Sequence, residues 1–238
     1  MNRSDLIIKK HVAAFREKAG IGISEAIDLH LLLEKLNVTT MFRPLSENFS
    51  GMALNINEIK FMFINSNQPV GRQNFTIGHE LFHLFIEKDF SPHKCHSASF
   101  DKQKKDEYNA DLFSTHLLMP EDGLLLNIPE NELTKDKISI ETILTLEKTF
   151  GVSHSSMLIR LKSLGLISES FLLEKKENIK VLAKKYGYDI SLYEAGNENK
   201  VIGNYKEKVH KLFENEKISE AHFHELMNSF PNDEKDKA

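Results

Sequence analysis

The sequence predicts an α+β protein: a small, mostly antiparallel sheet packed on helices, followed by a helix-turn-helix-like pair and a C-terminal, mainly helical segment. Apolar residues recur at helical spacing through residue 36, the period shortens to that of strands between residues 38 and 65, and helical spacing returns from Phe75 onward. A chain of 238 residues with 40% hydrophobic content can bury a large core with a smaller one beside it. The pattern divides it into residues 1–130, 131–168 and 169–238.

Residues 4–19 and 24–36 read as helices on either side of a Gly-Ile-Gly turn. In the second, Ser24 and Glu25 are start signals, and Ile27, Leu31, Leu32 and Leu36 form an apolar stripe. The runs VTTMF, SGMALNI and IKFMFIN are short and β-rich, and the last is expected at a sheet edge. Gln68-Pro69-Val70-Gly71 ends it, and residues 72–87 form a helix. A loop over 89–100 carries Pro92, His93, Cys95 and His96, and a helix over 101–118 stops at Met119-Pro120. Residues 140–150 and 153–164, joined across Gly151-Val152-Ser153, read as a helix-turn-helix. Further on, the sequence predicts a charged helix over 174–186 and an irregular stretch over 187–203. Two helices then fall within 205–230, with Phe213, Ile218, Phe223 and Leu226 as core positions, before a frayed tail.

The formal charge of −4 divides evenly between residues 1–168 and 169–238, so neither part advertises a polyanion partner. The stretch MNRSDLIIKKHVAAF lacks an apolar signal core and no run is long enough to span a bilayer, so a cytoplasmic protein without a membrane partner is expected. A lone cysteine, Cys95, leaves no intramolecular disulfide and fits a reducing compartment.

Within the helix over 72–87 stands His79-Glu80-Leu81-Phe82-His83. H-E-x-x-H places two imidazoles one helical turn apart, where they chelate zinc, with a glutamate between them as general base. At 100° per residue, Ile77, Leu81, Leu84 and Phe85 share one side and the histidines lie nearly opposite. Chance supplies such a pattern about 0.05 times in a chain of this composition. The residues downstream therefore decide its meaning.

A catalytic zinc takes three protein ligands and keeps one position open. His93, Cys95, His96, Glu107, Asp111 and His116 are candidates for the third. Helical geometry separates them: Glu107 and Asp111 share a face flanked by the small Ala110 and Ser114, which lets two helices approach. Glu107 can reach the metal, and Asp111, one turn on, can accept the N–H of a ligating imidazole. The competing reading of that face is a solvated helix surface. His116 points away from it and reads as a packing or surface histidine.

The run Arg72…Phe75-Thr-Ile-Gly-His-Glu-Leu-Phe-His, followed by Glu107-Tyr-Asn-Ala-Asp-Leu-Phe-Ser-Thr-His-Leu-Leu-Met-Pro120, resembles the ImmA/IrrE metallopeptidases. Their pattern is roughly R-x-x-F-T-x-x-H-E-x-x-H and then E-x-x-A-[ND]-x-F-A-x-x-L-L-M-P. The resemblance covers residues 24–168 well and the last third poorly, with Ser114 in place of alanine and Phe82 in place of a small residue. It implies a zincin-like domain holding one Zn2+ through His79, His83 and Glu107, with Glu80 as base. It also implies cleavage of a helix-turn-helix repressor, derepressing stress, mobile-element or defence genes.

Tyr108, His96 and His116 are candidate oxyanion donors. Cys95 is a candidate fourth ligand that would silence the enzyme at rest; the alternative is an ordinary loop cysteine. Residues 140–167 carry a net charge of only +1, from Lys148, Arg160 and Lys162 against Glu141 and Glu147, which favours packing or substrate docking over DNA reading. Residues 169–238 are expected to set partner choice or sense an activating signal, such as nucleic acid. A non-catalytic zinc-containing regulator binding DNA or protein through the helix pair is the competing function. A zinc hydrolase of small molecules is disfavoured by the lack of a recognisable nucleotide or sugar site.

Overall fold

The computed structural model describes residues 3–56, 59–87, 105–176 and 178–228, together with the backbone path of 94–96. The chain opens with α1 (Arg3–Ala19). It continues through α2 (Leu29–Lys35), β1 (Val38–Arg43), β2 (Phe49–Ile56) and β3 (Ile59–Asn65). Helix α2 starts later than expected because Asp28, not Ser24, is its N-cap, its carboxylate accepting from Leu31 N at 3.1 Å. Glu25 instead accepts from Gly22 N at 3.0 Å, closing a turn. The shift leaves Leu31 exposed and buries Leu32 and Leu33.

The sheet order is β4-β2-β3-β1-β5, with β4 (Lys94–His96) and β5 (Val201–Ile202) at its edges. Strand β3 runs antiparallel to β2 and parallel to β1, while β2–β4 and β1–β5 are antiparallel. IKFMFIN is therefore an interior strand, not the expected edge. It returns between β1 and β2, and Asn65 fixes that crossing: its amide accepts from Leu45 N and Asn67 N and donates to Ser46 O and Phe49 O. Part of the expected loop over 89–100 is strand β4, with Cys95 opposite Gly51. The rest of that loop lies outside the described residues.

Helix α3 (Val70–Phe85) lies against β2 and β3, and α4 (Lys105–Leu118) lies along α3. The main core joins Ile8, Val12 and Phe15 of α1 to Ile64, Ile77, Leu81 and Phe113. Phe15 meets Phe113 edge-on at 5.5 Å between centroids. Arg16, itself buried, donates to the carbonyls of Leu117 at 2.7 Å, Glu25 at 2.9 Å and Gly22, joining the end of α4 to the turn before α2. Burial lowers its pKa to about 10, with the Glu25 charge opposing.

A second core is formed by α5 (Glu121–Asn127), α6 (Ile140–Phe150) and α7 (His154–Ser163), around Leu124, Ile143, Leu146, Met157 and Leu161. The expected helix pair is present. Ser139 caps α6, Gly151 (φ 64°) ends it in the left-handed region, and Ser153 caps α7. Asn74 of α3 donates to the Gly151 carbonyl at 2.7 Å, joining the two cores.

The last third departs more from expectation. The predicted charged helix is two helices, α8 (Glu169–Lys175) and α9 (Ile179–Lys185), separated by Asn178 at φ 64°. The predicted irregular stretch supplies β5 and a short 3-10 turn at Ser191–Tyr193. Tyr193 donates to Glu147 at 2.6 Å, and Gln73 of α3 donates to Gly196 O at 2.9 Å. Helices α10 (Tyr205–Glu214) and α11 (Glu220–Asn228) form the expected hairpin, but Phe213 is exposed and Ile218, Phe223 and Leu226 are only half-buried. Phe213 and Phe223 pack on each other, centroids 4.6 Å apart, rather than in a core. No helix among the described residues is long and apolar enough to cross a membrane.

Candidate metal centre

The α3–α4 junction is tight because one residue of contact lacks a side chain. A Cβ built on Gly78 would lie 2.5 Å from Ser114 Oγ and 3.2 Å from Ser114 Cβ. Ser114 also donates to the Phe75 carbonyl at 2.8 Å, so the departure from alanine adds a bond between the helices. The expected small-residue approach of α4 is therefore present, with Ala110 fully buried beside it.

That approach brings the polar face of α3 into contact with α4. His79, Glu80 and His83 are buried, so the helix is enclosed on its polar as well as its apolar side. Phe82, the other departure, is buried with Phe113 and meets the His83 ring edge-on at 5.6 Å, restricting its tilt. His79 Nε2 and His83 Nε2 are 3.1 Å apart. Glu107, half-buried on the first turn of α4, places Oε2 3.4 Å from His79 Nε2 and Oε1 3.8 Å from His83 Nε2. His79, His83 and Glu107 form the one group of metal-ligand type found among the described residues, each offering an atom within 4.8 Å of the others.

The outer ring nitrogens face carboxylates. Asp111 Oδ1 lies 2.9 Å from His79 Nδ1, and Glu87 Oε2 lies 2.7 Å from His83 Nδ1. A carboxylate accepts, so each ring donates through Nδ1–H and turns an Nε2 lone pair inward. Arg72 lies close enough to sense the Asp111 charge: burial pulls its guanidinium below the ordinary value, and Asp111 opposes that shift.

This arrangement fits a tetrahedral cation. Nitrogen or oxygen ligands at about 2.05 Å from a tetrahedral centre are about 3.3 Å apart; the imidazole nitrogens are 3.1 Å apart, and each lies 3.4 or 3.8 Å from a different oxygen of the Glu107 carboxylate. Two imidazoles and a carboxylate are a donor set of catalytic zinc, with one position left for water.

The other candidates fall elsewhere. His116 is buried against α1, its Nε2 2.8 Å from Asp5 Oδ1 and its pKa lowered by burial and by the Arg160 charge. It is nine residues from Glu107, about 13 Å along the helix, which removes it from the oxyanion candidates. Tyr108 is half-buried beside Glu107. His93 and the side chains of Cys95 and His96 lie outside the described residues. Sequence reasoning missed Glu87, although its i,i+4 spacing from His83 was available as a signal.

The basic residues of the helix pair have partners within the chain. Arg160 is buried and donates to Met119 O at 3.1 Å, Lys148 lies 3.6 Å from Asp189, and Lys162 pairs with Glu169. All three basic residues counted in the sequence are engaged within the chain.

No curated protein matches the chain. The family model for the IrrE N-terminal-like domain, Peptidase M78, matches residues 33–162, a segment that contains α3, α4, the converging His79, His83 and Glu107 side chains and all but the last residue of the helix pair. Over more than half its length, and with a metallopeptidase-type arrangement at its centre, the chain belongs to the IrrE N-terminal-like family of M78 peptidases.

Proposed function

We propose that the chain is a zinc-dependent endopeptidase of narrow specificity that cleaves a helix-turn-helix transcriptional repressor in the cytoplasm. The observation that carries the catalytic part is the convergence of His79 Nε2, His83 Nε2 and a Glu107 carboxylate oxygen beside a buried Glu80. Membership of a metallopeptidase family supports a protein substrate.

In this reading His79, His83 and Glu107 hold the zinc, and Asp111 fixes the His79 tautomer. When bound, the cation supplies Lewis acidity, polarising the scissile carbonyl and lowering the pKa of water to about 7. Glu80 follows the first ligand on the same helical turn, accepts the proton of the attacking water at its carboxylate, and passes it to the leaving amine. A merely structural zinc would need no base there. Tyr108 and His96 are the remaining side-chain candidates for the oxyanion. An extended peptide adds along a sheet edge, and with β3 interior the edge proposed is that of β4. The engaged basic residues of α6 and α7 support a packing or docking role for the helix pair.

Co-expression of the wild type with a repressor encoded nearby, with and without the activating stress or nucleic acid, tests the substrate. Glu80→Gln should retain zinc and lose cleavage by roughly 10²–10⁴-fold or more, whereas His79→Ala should lose both. Full proteolysis by metal-loaded Glu80→Gln would remove Glu80 as the base, and an intact repressor under every condition would remove the substrate.

A further inference from the structure

The geometry points to Glu87 as a positioning residue that holds the second histidine ligand, an assignment that rests on the metal-centre reading above. Helix α3 ends at Phe85, with Ile86 as its C-cap. The Ile86 N–H donates to the Phe82 carbonyl at 2.8 Å and the Glu87 N–H to the same carbonyl at 3.0 Å, so the Glu87 backbone is fixed against the last turn. From there its side chain reaches back one turn to His83 Nδ1 at 2.7 Å.

This is an unfavourable place for a carboxylate. The C-terminal end of a helix carries partial negative charge, and the Glu87 side chain is only 15% exposed. Its partner, the His83 side chain, is fully buried, which distinguishes the pair from a solvated i,i+4 surface contact. Both penalties are offset when the carboxylate accepts an N–H from a ring whose other nitrogen faces a cation. Glu87 then sets the His83 tautomer and leaves Nε2 directed at the point where His79 and Glu107 converge.

The two outer carboxylates do this differently. Asp111 comes from α4, so its bond to His79 also joins the two helices. Glu87 comes from the end of α3 itself, and its bond to His83 requires no docking of α4. Loss of Glu87 therefore weakens metal binding while leaving helix packing largely intact. Loss of Asp111 weakens both.

The test is zinc affinity of the full chain by competition with a chromophoric chelator, for the wild type, Glu87→Ala, Glu87→Gln, Asp111→Asn and His79→Ala. Thermal melts of the metal-free proteins accompany it. Glu87→Ala should bind zinc about 10–100-fold more weakly with a nearly unchanged metal-free melt. The glutamine carbonyl can still accept from Nδ1–H, so Glu87→Gln should fall between wild type and Glu87→Ala. Histidine 15N–1H spectra of the zinc forms should show a protected His83 Nδ1–H in wild type and Glu87→Gln and its loss in Glu87→Ala. Wild-type affinity in Glu87→Ala, or a glutamine variant no better than alanine, overturns the assignment. If His79→Ala also binds like wild type, the metal-centre reading itself fails; if His79→Ala loses zinc, only the role of Glu87 is lost.

Discussion

Replacing Gly78 with alanine tests whether the α3–α4 junction is as tight as its geometry indicates. The new Cβ would sit 2.5 Å from Ser114 Oγ, 3.2 Å from Ser114 Cβ and 3.3 Å from Ser114 Cα, against about 3.5–4.0 Å for comfortable carbon contact. Rotating the Ser114 hydroxyl away removes the first clash but gives up its bond to the Phe75 carbonyl, at about 1 kcal/mol. It does not relieve the other two, one of which involves backbone, so the helices must part by a few tenths of an ångström. Overpacking of this kind costs about 1–3 kcal/mol, and the better helix propensity of alanine returns about 1 kcal/mol. The expected net loss is about 1–3 kcal/mol, read as a lower denaturant midpoint of the metal-free protein at constant slope. Ser114→Ala alone should cost about 1 kcal/mol through its lost hydrogen bond, but should cost little in the Gly78→Ala background. The resulting coupling is about 1 kcal/mol. Additive losses, or a Gly78→Ala protein more stable than wild type, would refute the close approach.

Two further outcomes follow from buried groups. His154 has Nδ1 2.6 Å from Glu147 Oε1 and Nε2 2.7 Å from the Lys175 carbonyl, an arrangement in which a protonated ring can donate from both nitrogens. Burial opposes that charge, but the hydrogen bond and charge of Glu147, with the Lys175 carbonyl, raise the pKa above 6.5. The folded protein thus holds this proton more tightly than the unfolded chain. The stabilisation is complete below about 6.5, disappears as pH rises through the raised value, and is absent from His154→Leu. Melts across that range measure it, and the same pH dependence in both proteins would contradict it. Phe113→Ala should cost about 3–5 kcal/mol, because the fully buried ring contacts Phe15 and Phe82; a loss under 1 kcal/mol in denaturant unfolding would argue against the core described.

Patterns local to one element were legible in the sequence. The three β-rich runs, the H-E-x-x-H helix and the helix pair joined across Gly151-Val152-Ser153 each show a local period or a local break that a short window contains. The pairing of Glu107 and Asp111 was legible too, because helical geometry puts them on one face. The sheet order was not: β3 inserts between its predecessors, a result of long-range pairing and of the Asn65 crossing bonds that no short window contains. Strand β5 has two residues and no readable alternation, and its place comes from pairing with β1. Tyr193 and Glu147 lie 46 positions apart, so their bond had no local signature. The start of α2 was misread because two plausible caps, Ser24 and Asp28, lie one turn apart and Arg16 holds the chain between them in a turn.

Arg16 also bears on where this fold can be divided. The family-matched segment, residues 33–162, holds the His79–His83–Glu107 cluster but not Arg16, which lies outside it yet donates to Leu117 at the end of α4. Phe15 from α1 fills the main core, Tyr193 occupies the buried Glu147, and β5 covers one edge of β1. Excised at the limits of the match, the segment would open its apolar interior on one side, leave Glu147 a buried carboxylate short of one donor, and bare a sheet edge to other chains. His79, His83 and Glu107 lie inside the family-matched segment, but the smallest piece that can hold them in place includes sequence on both sides of it.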